Sequence, residues 1–230
     1  MRVLVWAENC ESIYPDGVHG ALASTLSEDL SEVRVATATL EDPGCGLDDS
    51  ALEQTDVLVW WAHVRNEEVP DDVAQRVHDR VLRGMGLIVL HSGGEAKVFR
   101  RLMGTSCTWG WREPGERELI WTVCPSHPIA QGVGDVIELS EHQMYGEYFD
   151  IPRPDDIIFI SSSPGGGEVF RSGCTFTRGN GRIFYFSAGH ETLPIFHHPQ
   201  IRKVMANAVS WAYPVNGFVD ARRFRRMDPV

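Results

Sequence analysis

Three of the nine histidines follow apolar segments in a way that predicts a shared site. His63 lies two positions beyond one apolar run, His91 directly follows another, and His190 follows the short Ser-Ala-Gly segment 187–189. Ligands of open parallel sheets bind outside the carboxyl ends of the strands, so imidazoles at these positions can converge on one ion or substrate group. A single histidine after a strand is more often structural, but three in equivalent positions predict a polar pocket that holds a divalent metal, either zinc or manganese.

Carboxylates near these histidines complete the candidate metal and catalytic set. Glu141 and Glu147 lie in a polar stretch of a region that otherwise reads as strands, and Glu191 directly follows His190. We expect Glu141 to join the histidines as a metal ligand, because histidines with a carboxylate form a common divalent-ion site. Glu147 and Glu191 are the candidate general bases, and His91 is a further candidate catalytic group. The alternative for Glu141 and Glu147 is the solvated face of a loop.

Four residues of the chain are predicted to contact a substrate, namely Trp61, Ser92, Trp109 and Tyr145. Tryptophans can serve as core residues or as stacking platforms for a sugar, and the sequence leaves both roles open. Ser92 is better explained as a turn residue or helix cap than as a nucleophile, because a G-x-S-x-G pattern is absent. The glycine run 165–167 lacks the Lys-Ser/Thr of a phosphate loop, so we expect no nucleotide cofactor.

The elements that must position these residues alternate in the first half of the chain. Apolar runs predict strands at 2–7, 33–37, 56–61 and 87–90, and periodic segments predict helices at 17–29 and 71–83. Continuous apolar strands separated by helices are typical of a parallel sheet that is covered on both faces. The sequence therefore predicts an α/β fold.

The second half of the chain has a different pattern. Short strands are predicted at 119–123, 135–139, 157–161, 168–170, 174–177 and 182–187, and a closing helix at 198–211. The turn over residues 178–181 is predicted to join the last two strands as a hairpin. We expect one domain over residues 1–214, followed by a basic C-terminal tail over residues 215–230.

The composition excludes several classes of function. The chain has 230 residues, with 21 Lys and Arg against 32 Asp and Glu, and a formal net charge of −11. This charge argues against nucleic acid or an anionic membrane as a partner. No run approaches the ~20 apolar residues of a membrane-spanning helix. We therefore expect a cytoplasmic protein that binds a small molecule, and exposed strand edges in the second half make a homo-oligomer plausible.

Several segments together resemble the trehalose-utilisation ThuA family, namely residues 57–63, 84–93, 102–107, 144–147 and 184–192. The resemblance implies a flavodoxin-like three-layer sandwich similar to that of the class I glutamine amidotransferases. The amidotransferase elbow carries a cysteine directly after its strand, and His91 takes that place here. Without a thiolate no acyl-enzyme forms, so glutaminase chemistry does not follow from the fold.

The resemblance also implies a substrate class. The family is linked to catabolism of trehalose and related disaccharides, alongside an oxidoreductase that makes 3-keto sugars. We therefore expect an enzyme that acts on a 3-keto sugar or 3-keto glycoside. The C3 carbonyl acidifies the C2–H bond, so proton abstraction leads to isomerisation or to elimination of the C1 substituent, with assistance from a metal. The alternatives are a non-catalytic carbohydrate-binding or regulatory protein and, less favoured, hydrolysis by a metal-activated water.

Overall fold

A single nine-stranded sheet runs through the centre of the protein. The computed structural model describes residues 1–214, apart from the side chain of Pro114. The strands are β1 Arg2–Ala7, β2 Arg34–Thr39, β3 Val57–Ala62, β4 Gly86–His91, β5 Gly110–Thr122, β6 Val136–Gly146, β7 Asp156–Ser163, β8 Glu168–Arg178 and β9 Gly181–Phe186. Their order in the sheet is β2-β1-β3-β4-β9-β8-β7-β5-β6.

The first five strands of that order are parallel and carry the predicted fold. Each neighbour in the series β2-β1-β3-β4-β9 pairs in parallel. With β9 as the fifth strand, this is the 2-1-3-4-5 order of a flavodoxin-like sheet. The flavodoxin-like sandwich implied by the resemblance is therefore confirmed.

Helices cover both faces of this sheet, because its strands are apolar on both sides. The helices are α1 Gly17–Asp29, α2 Asp49–Glu53, α3 Asp71–Arg83, α4 Lys97–Met103 and α5 Pro199–Ala212. Successive side chains of a strand point to opposite faces. In β1, Leu4 and Trp6 join the core under α2, α3 and α4, whereas Val3 and Val5 join the core under α1 and α5.

The second half extends the same sheet with longer strands than the sequence predicts. β8, β7, β5 and β6 pair antiparallel in this part of the sheet. The predicted short strands 168–170 and 174–177 are parts of one strand, β8, and the segment 119–123 is only the end of the 13-residue β5. The predicted strand 135–139 is the start of β6, which runs on to Gly146 through the polar stretch. Antiparallel strands tolerate polar residues on a solvated face, so a loss of apolar pattern does not mark their ends.

The predicted basic tail over residues 215–230 lies outside the described residues. Among residues 1–214, no helix has both the length and the apolar character needed to cross a membrane.

Asp56 ties the start of β1 to the residue that precedes β3. Its carboxylate accepts hydrogen bonds from the Arg2 backbone N–H and from Arg2 Nη2, both at 2.8 Å. Burial raises the pKa of the Asp56 carboxyl, but the hydrogen bonds from Arg2 outweigh burial and hold the pKa below its ordinary value. The folded state thus favours the ionised form, and the contact stabilises the protein above the unfolded-state pKa and is lost as pH falls through the folded-state pKa.

We predict that Asp56→Asn lowers the free energy of unfolding at pH 7 by about 1 kcal/mol, because a charge-assisted contact is replaced by a neutral one. Urea denaturation at pH 7 and at about pH 3, below the ordinary Asp pKa near 3.9, measures the effect. The difference from wild type should shrink at the lower pH as Asp56 is protonated. The exposed Glu32→Gln is the matched control and should change little at either pH. An Asp56→Asn deficit of the same size at both pH values would contradict the ionic origin of the effect.

Candidate functional site

His63, His91 and His190 come from three separate segments and meet at the carboxyl edge of the parallel strands. The distances between ring centroids are 4.8 Å for His63 and His91, 4.9 Å for His63 and His190, and 5.3 Å for His91 and His190. With Glu191, they place one ligand atom each within 4.8 Å of one another. We call these four residues the histidine cluster.

The sheet register explains why these residues meet. Ala62, the last residue of β3, is directly opposite His91, the last residue of β4. His63 therefore emerges beside His91. β9 pairs with the other side of β4, and His190 follows it after a short loop.

His91 lies at a sharp and tightly packed turn. It is fully buried, and its backbone has φ 55° and ψ −134°, a conformation that residues other than glycine rarely adopt. Such a conformation costs about 1–3 kcal/mol and is typically kept where function needs it. The turn also packs closely, because a Cβ atom at Gly94 would lie 2.8 Å from the Tyr185 ring. The elbow expected after β4 is therefore present, with histidine at its apex.

The Nδ1 atom of each cluster histidine has a polar partner outside the three rings. The partners are the Glu191 carboxylate for His63 at 2.9 Å, the Ser187 carbonyl for His91 at 3.1 Å and the Thr192 hydroxyl for His190 at 2.9 Å. In His63 and His91, Nδ1 donates its proton to such an acceptor and Nε2 keeps the lone pair, whereas Nδ1 of His190 accepts a hydrogen bond from the Thr192 backbone N–H at 3.3 Å. Metal-ligating histidines in proteins almost always have a partner of this kind on the other ring nitrogen.

The cluster fits a divalent ion in size and in ligand type. Zinc ligands at about 2.1 Å in tetrahedral geometry lie about 3.4 Å from one another. The ligand atoms here lie within 4.8 Å of each other, so side-chain rotations would be needed to reach that spacing. Imidazole is a preferred ligand of zinc, and the Glu191 carboxylate makes the cluster suitable for manganese as well.

The electrostatics of the cluster favour neutral imidazoles at two of its positions. Burial lowers the pKa of His91 well below its ordinary value, and the neighbouring histidines add to this effect. Burial also lowers the pKa of His190, and the carboxylates of Glu191 and Glu113 only partly offset it. A metal ligand must be unprotonated, so both rings suit metal binding at neutral pH.

His63 and Glu191 behave differently, because they form a hydrogen-bonded pair. Burial lowers the pKa of His63, but the hydrogen bond to Glu191 and the charges of nearby carboxylates outweigh it and raise the pKa. Burial raises the pKa of Glu191, but the hydrogen bond with His63 outweighs it and lowers the pKa. Glu191 therefore remains ionised and orients the His63 ring.

Glu141 is not in the cluster, and its neighbour His142 takes the inward position. Glu141 is exposed on β6, whereas His142 is buried, with its ring centroid 5.6 Å from that of His91. The pairing of β6 with β5 is irregular between Leu139 and His142, and this extra residue shifts the alternation so that His142 rather than Glu141 turns inward. The expectation of Glu141 as a metal ligand therefore needs correction, since its carboxylate faces away from the histidines.

The sequence reasoning missed His142 and its buried partner Glu118. His142 Nε2 accepts a hydrogen bond from the Gly189 N–H at 3.2 Å, and His142 Nδ1 lies 2.8 Å from Glu118 Oε2. Gly189 directly precedes His190, so this pair holds the loop that delivers His190 to the cluster. Regular alternation from the buried Ile137 and Leu139 would have placed Glu141 inward, so the irregular pairing between Leu139 and His142 hides His142 from the sequence pattern.

Glu147 lies outside the cluster and is already bound. Its carboxylate accepts hydrogen bonds from Arg171 Nε at 2.8 Å and from the Phe149 N–H at 2.8 Å. Burial raises the pKa of Glu147, but the hydrogen bonds from Arg171 outweigh it and lower the pKa. Glu147 thus fixes the segment after β6, and these contacts correct the expectation that its carboxylate is a free general base.

Trp61 is part of the core and does not offer a stacking surface. Its side chain is fully buried, and its indole N–H donates to the Gly189 carbonyl at 2.7 Å. The expectation of a substrate contact at Trp61 therefore needs correction, because the Trp61 side chain packs in the core under α1 and α5. Like His142, it holds the loop before His190.

Two adjoining cavities open next to His63. The first, the aromatic cavity, has a volume of about 170 Å³, and the residues particular to it are Ser92, Trp109, Trp111, Gln143 and Tyr145. The second, the polar cavity, has a volume of about 270 Å³, and the residues particular to it are Asn66, Glu67, Arg100, Ser106 and Thr108. Both cavities are also lined by His63, Val64 and Glu95, which therefore mark the junction between them.

Three of the predicted substrate contacts line the aromatic cavity. Tyr145 Oη is hydrogen-bonded to Ser92 Oγ at 2.6 Å and lies 3.0 Å from His91 Nδ1, which connects this wall to the cluster. Trp109 packs against Tyr145, with ring centroids 4.9 Å apart. Trp111 is 61% exposed and forms an outer wall.

Glu8 is a further buried residue that sequence reasoning did not assign. Its carboxylate accepts hydrogen bonds from the backbone N–H groups of Val64 and Arg65, at 2.8 and 2.9 Å. These bonds fix the loop that begins at His63. The signal was available in part, because Glu8 follows β1 at the same edge of the sheet where the histidines emerge.

Comparison with models of protein families identifies the family of this chain. The family model described as ThuA, trehalose utilisation, matches residues 2–212. The chain belongs to the ThuA family. No curated protein sequence matches this ThuA-family chain significantly.

Solved structures share the fold of this ThuA-family protein. A ThuA-like protein from Parabacteroides merdae has a TM-score of 0.70 at 16% identity, covering 92% of this chain and 89% of its own. A ThuA-like protein from Bacteroides uniformis has a TM-score of 0.64 at 13% identity, covering 92% and 90%. A cytoplasmic protein from Salmonella typhimurium has a TM-score of 0.65 at 14% identity, covering 93% of this chain and 100% of its own. At these identities the likeness concerns the fold alone.

We predict that the protein binds about one zinc or manganese ion per chain, and that His63→Ala and His190→Ala each lower the affinity at least about tenfold. Elemental analysis after dialysis against the metal salt, with protein purified without a histidine tag, measures the bound ion. His78→Ala on α3 and Glu141→Gln on the outer face of β6 are matched controls and should bind as wild type does. Equal metal content in wild type and in both cluster variants would contradict the assignment.

Proposed function

We propose that this ThuA-family protein is a cytoplasmic sugar-catabolism enzyme that acts on a 3-keto sugar or 3-keto glycoside of the trehalose type. The reaction is proton abstraction next to the carbonyl, which gives isomerisation or elimination. The observation that carries the proposal is the histidine cluster beside two cavities, with Nδ1 of each ring held by its own partner. The family's link to trehalose utilisation supports a sugar as the substrate.

The histidine cluster provides the groups that face the substrate carbonyl. His63, His91 and His190 would hold a divalent ion through their ring nitrogens, and such an ion supplies a positive charge that polarises a bound oxygen. Glu191 keeps the His63 ring in place, and the Ser187 carbonyl does the same for His91. This order before substrate arrives reduces the cost of arranging polar groups during the reaction.

The cavity walls fit a polyhydroxylated ring. Trp109 and Trp111 offer aromatic faces for the apolar side of a sugar, and ligand sites typically combine such surfaces with a few placed polar groups. The side-chain oxygens of Gln143 and Asn66 are buried without a hydrogen-bond partner among the described residues, and both residues line the cavities. Sugar hydroxyls would satisfy these oxygens. The acidic net charge of −11 supports a neutral sugar over nucleic acid or an anionic membrane.

We predict that wild-type protein, incubated with 3-keto-trehalose in D2O, removes the hydrogen at C2. Proton NMR follows the loss of the C2 signal and the formation of product. His63→Ala and His190→Ala should lower the rate at least about 100-fold, because both rings belong to the site of charge stabilisation. His78→Ala is the control and should react at the wild-type rate.

The product separates the proposed reaction from its alternatives. Elimination leaves an unsaturated sugar that absorbs in the ultraviolet, isomerisation keeps the glycosidic bond, and hydrolysis gives two saturated sugars. Stoichiometric sugar binding without loss of the C2 hydrogen would contradict the enzyme and favour a non-catalytic carbohydrate-binding protein.

A further inference from the structure

Glu95 is the carboxylate at the junction of the two cavities. It lines both the aromatic and the polar cavity, as do His63 and Val64. It closes the short helical turn Ser92–Glu95 that begins directly after His91. The preceding residues Gly93 and Gly94 are buried, so the turn fixes Glu95 relative to the cluster.

Glu95 also differs from the other nearby carboxylates in its contacts. Within residues 1–214, its side chain has no hydrogen bond or ion pair. Glu67 in the polar cavity is 70% exposed and pairs with Arg100, whereas Glu113 near His190 accepts a hydrogen bond from Gln143 at 2.7 Å. The half-buried Glu95 carboxylate is therefore the one available to a bound substrate.

The environment of Glu95 suits proton transfer. Burial raises the pKa of the Glu95 carboxyl, and the charge of Arg100 only partly offsets it. A carboxylate with a raised pKa is a stronger base than an ordinary carboxylate, and its pKa lies nearer to neutral pH, where a group can both take up and give back a proton.

The two cavities have the layout of a site for a two-unit substrate. Each is smaller than the roughly 300–1,000 Å³ of common ligand pockets, but together they reach the lower part of that range. A disaccharide with one sugar in each cavity would place its glycosidic bond at the junction, next to His63 and Glu95.

We propose that Glu95 is the proton-transfer residue of this site, and that its substrate is a 3-keto disaccharide cleaved by elimination. This proposal rests on the proposed function. Glu95 takes the proton from C2, and the electron pair of the C2–H bond forms the C1=C2 bond as the bond between C1 and the glycosidic oxygen breaks. Glu95 then gives the proton to that oxygen. The products are an unsaturated 3-keto sugar and a free sugar, and no other reactant is consumed.

The test compares Glu95→Gln with Glu141→Gln, an exposed carboxylate on β6 that lines neither cavity. With 3-keto-trehalose, Glu95→Gln should lower kcat/KM at least about 100-fold, because general acid and base catalysis contributes about 10²–10⁴-fold. Glu141→Gln should stay within about threefold of wild type, because Glu141 is exposed and lies outside both cavities. Calorimetry should show that Glu95→Gln still binds the disaccharide.

Chemical rescue provides a readout that a structural role would not move. Added formate should restore part of the activity of Glu95→Ala and none to His190→Ala, because a small carboxylate can occupy the space left by Glu95. Wild-type turnover together with near-wild-type activity of Glu95→Gln would overturn the role of Glu95 alone. Activity lost in Glu95→Ala but unmoved by formate, with disaccharide binding also lost, would likewise overturn it. Wild-type protein that leaves the C2 hydrogen in place would overturn the proposed function and this role with it.

Discussion

The parallel register of β3, β4 and β9 is the constraint on which the site depends. Parallel pairing aligns the carboxyl ends of the strands at one edge, so whatever follows each strand is brought to the same place. Ala62 pairs with His91, so the last residues of β3 and β4 lie side by side. A shift of one residue would turn buried side chains of β3 and β4 to the other face, which the apolar cores on both sides resist. The stability of the sheet therefore also sets the distances among the imidazoles.

A second layer of buried polar contacts converts this alignment into a defined site. Glu8 holds the loop at His63, whereas Trp61 and His142 hold the loop before His190. Buried polar groups are costly unless they are paired, and here the pairing fixes ring orientation rather than adding to the core. His91 needs a different device, a strained backbone at an elbow packed against Tyr185. Its fold relatives with amidotransferase chemistry use this place for a nucleophile, whereas here an imidazole faces the other rings.

The role of each carboxylate near the site follows from the groups that it contacts. Glu147 and Glu191 are the general bases that the sequence predicts, yet Arg171 binds the first and His63 binds the second. Glu95, which was not among the candidate residues of the sequence, lines the space where a substrate fits. The position of Glu191 next to His190 in the sequence thus indicated that Glu191 belongs to the histidine cluster. It did not indicate which carboxylate is free to contact a substrate.

The sequence by itself determined the parallel half of the sheet, its covering helices and the convergence of three histidines, because apolar runs and helical periodicity are local signals and parallel strands end at a common edge. The family resemblance supplied the flavodoxin-like fold. Only the tertiary structure decided that His142 rather than Glu141 faces inward, because that depends on where β6 ends and how it pairs with β5. It also decided that Trp61 is core and that Glu95 is at the junction of two cavities, since burial and cavity walls arise from contacts between residues far apart in the chain.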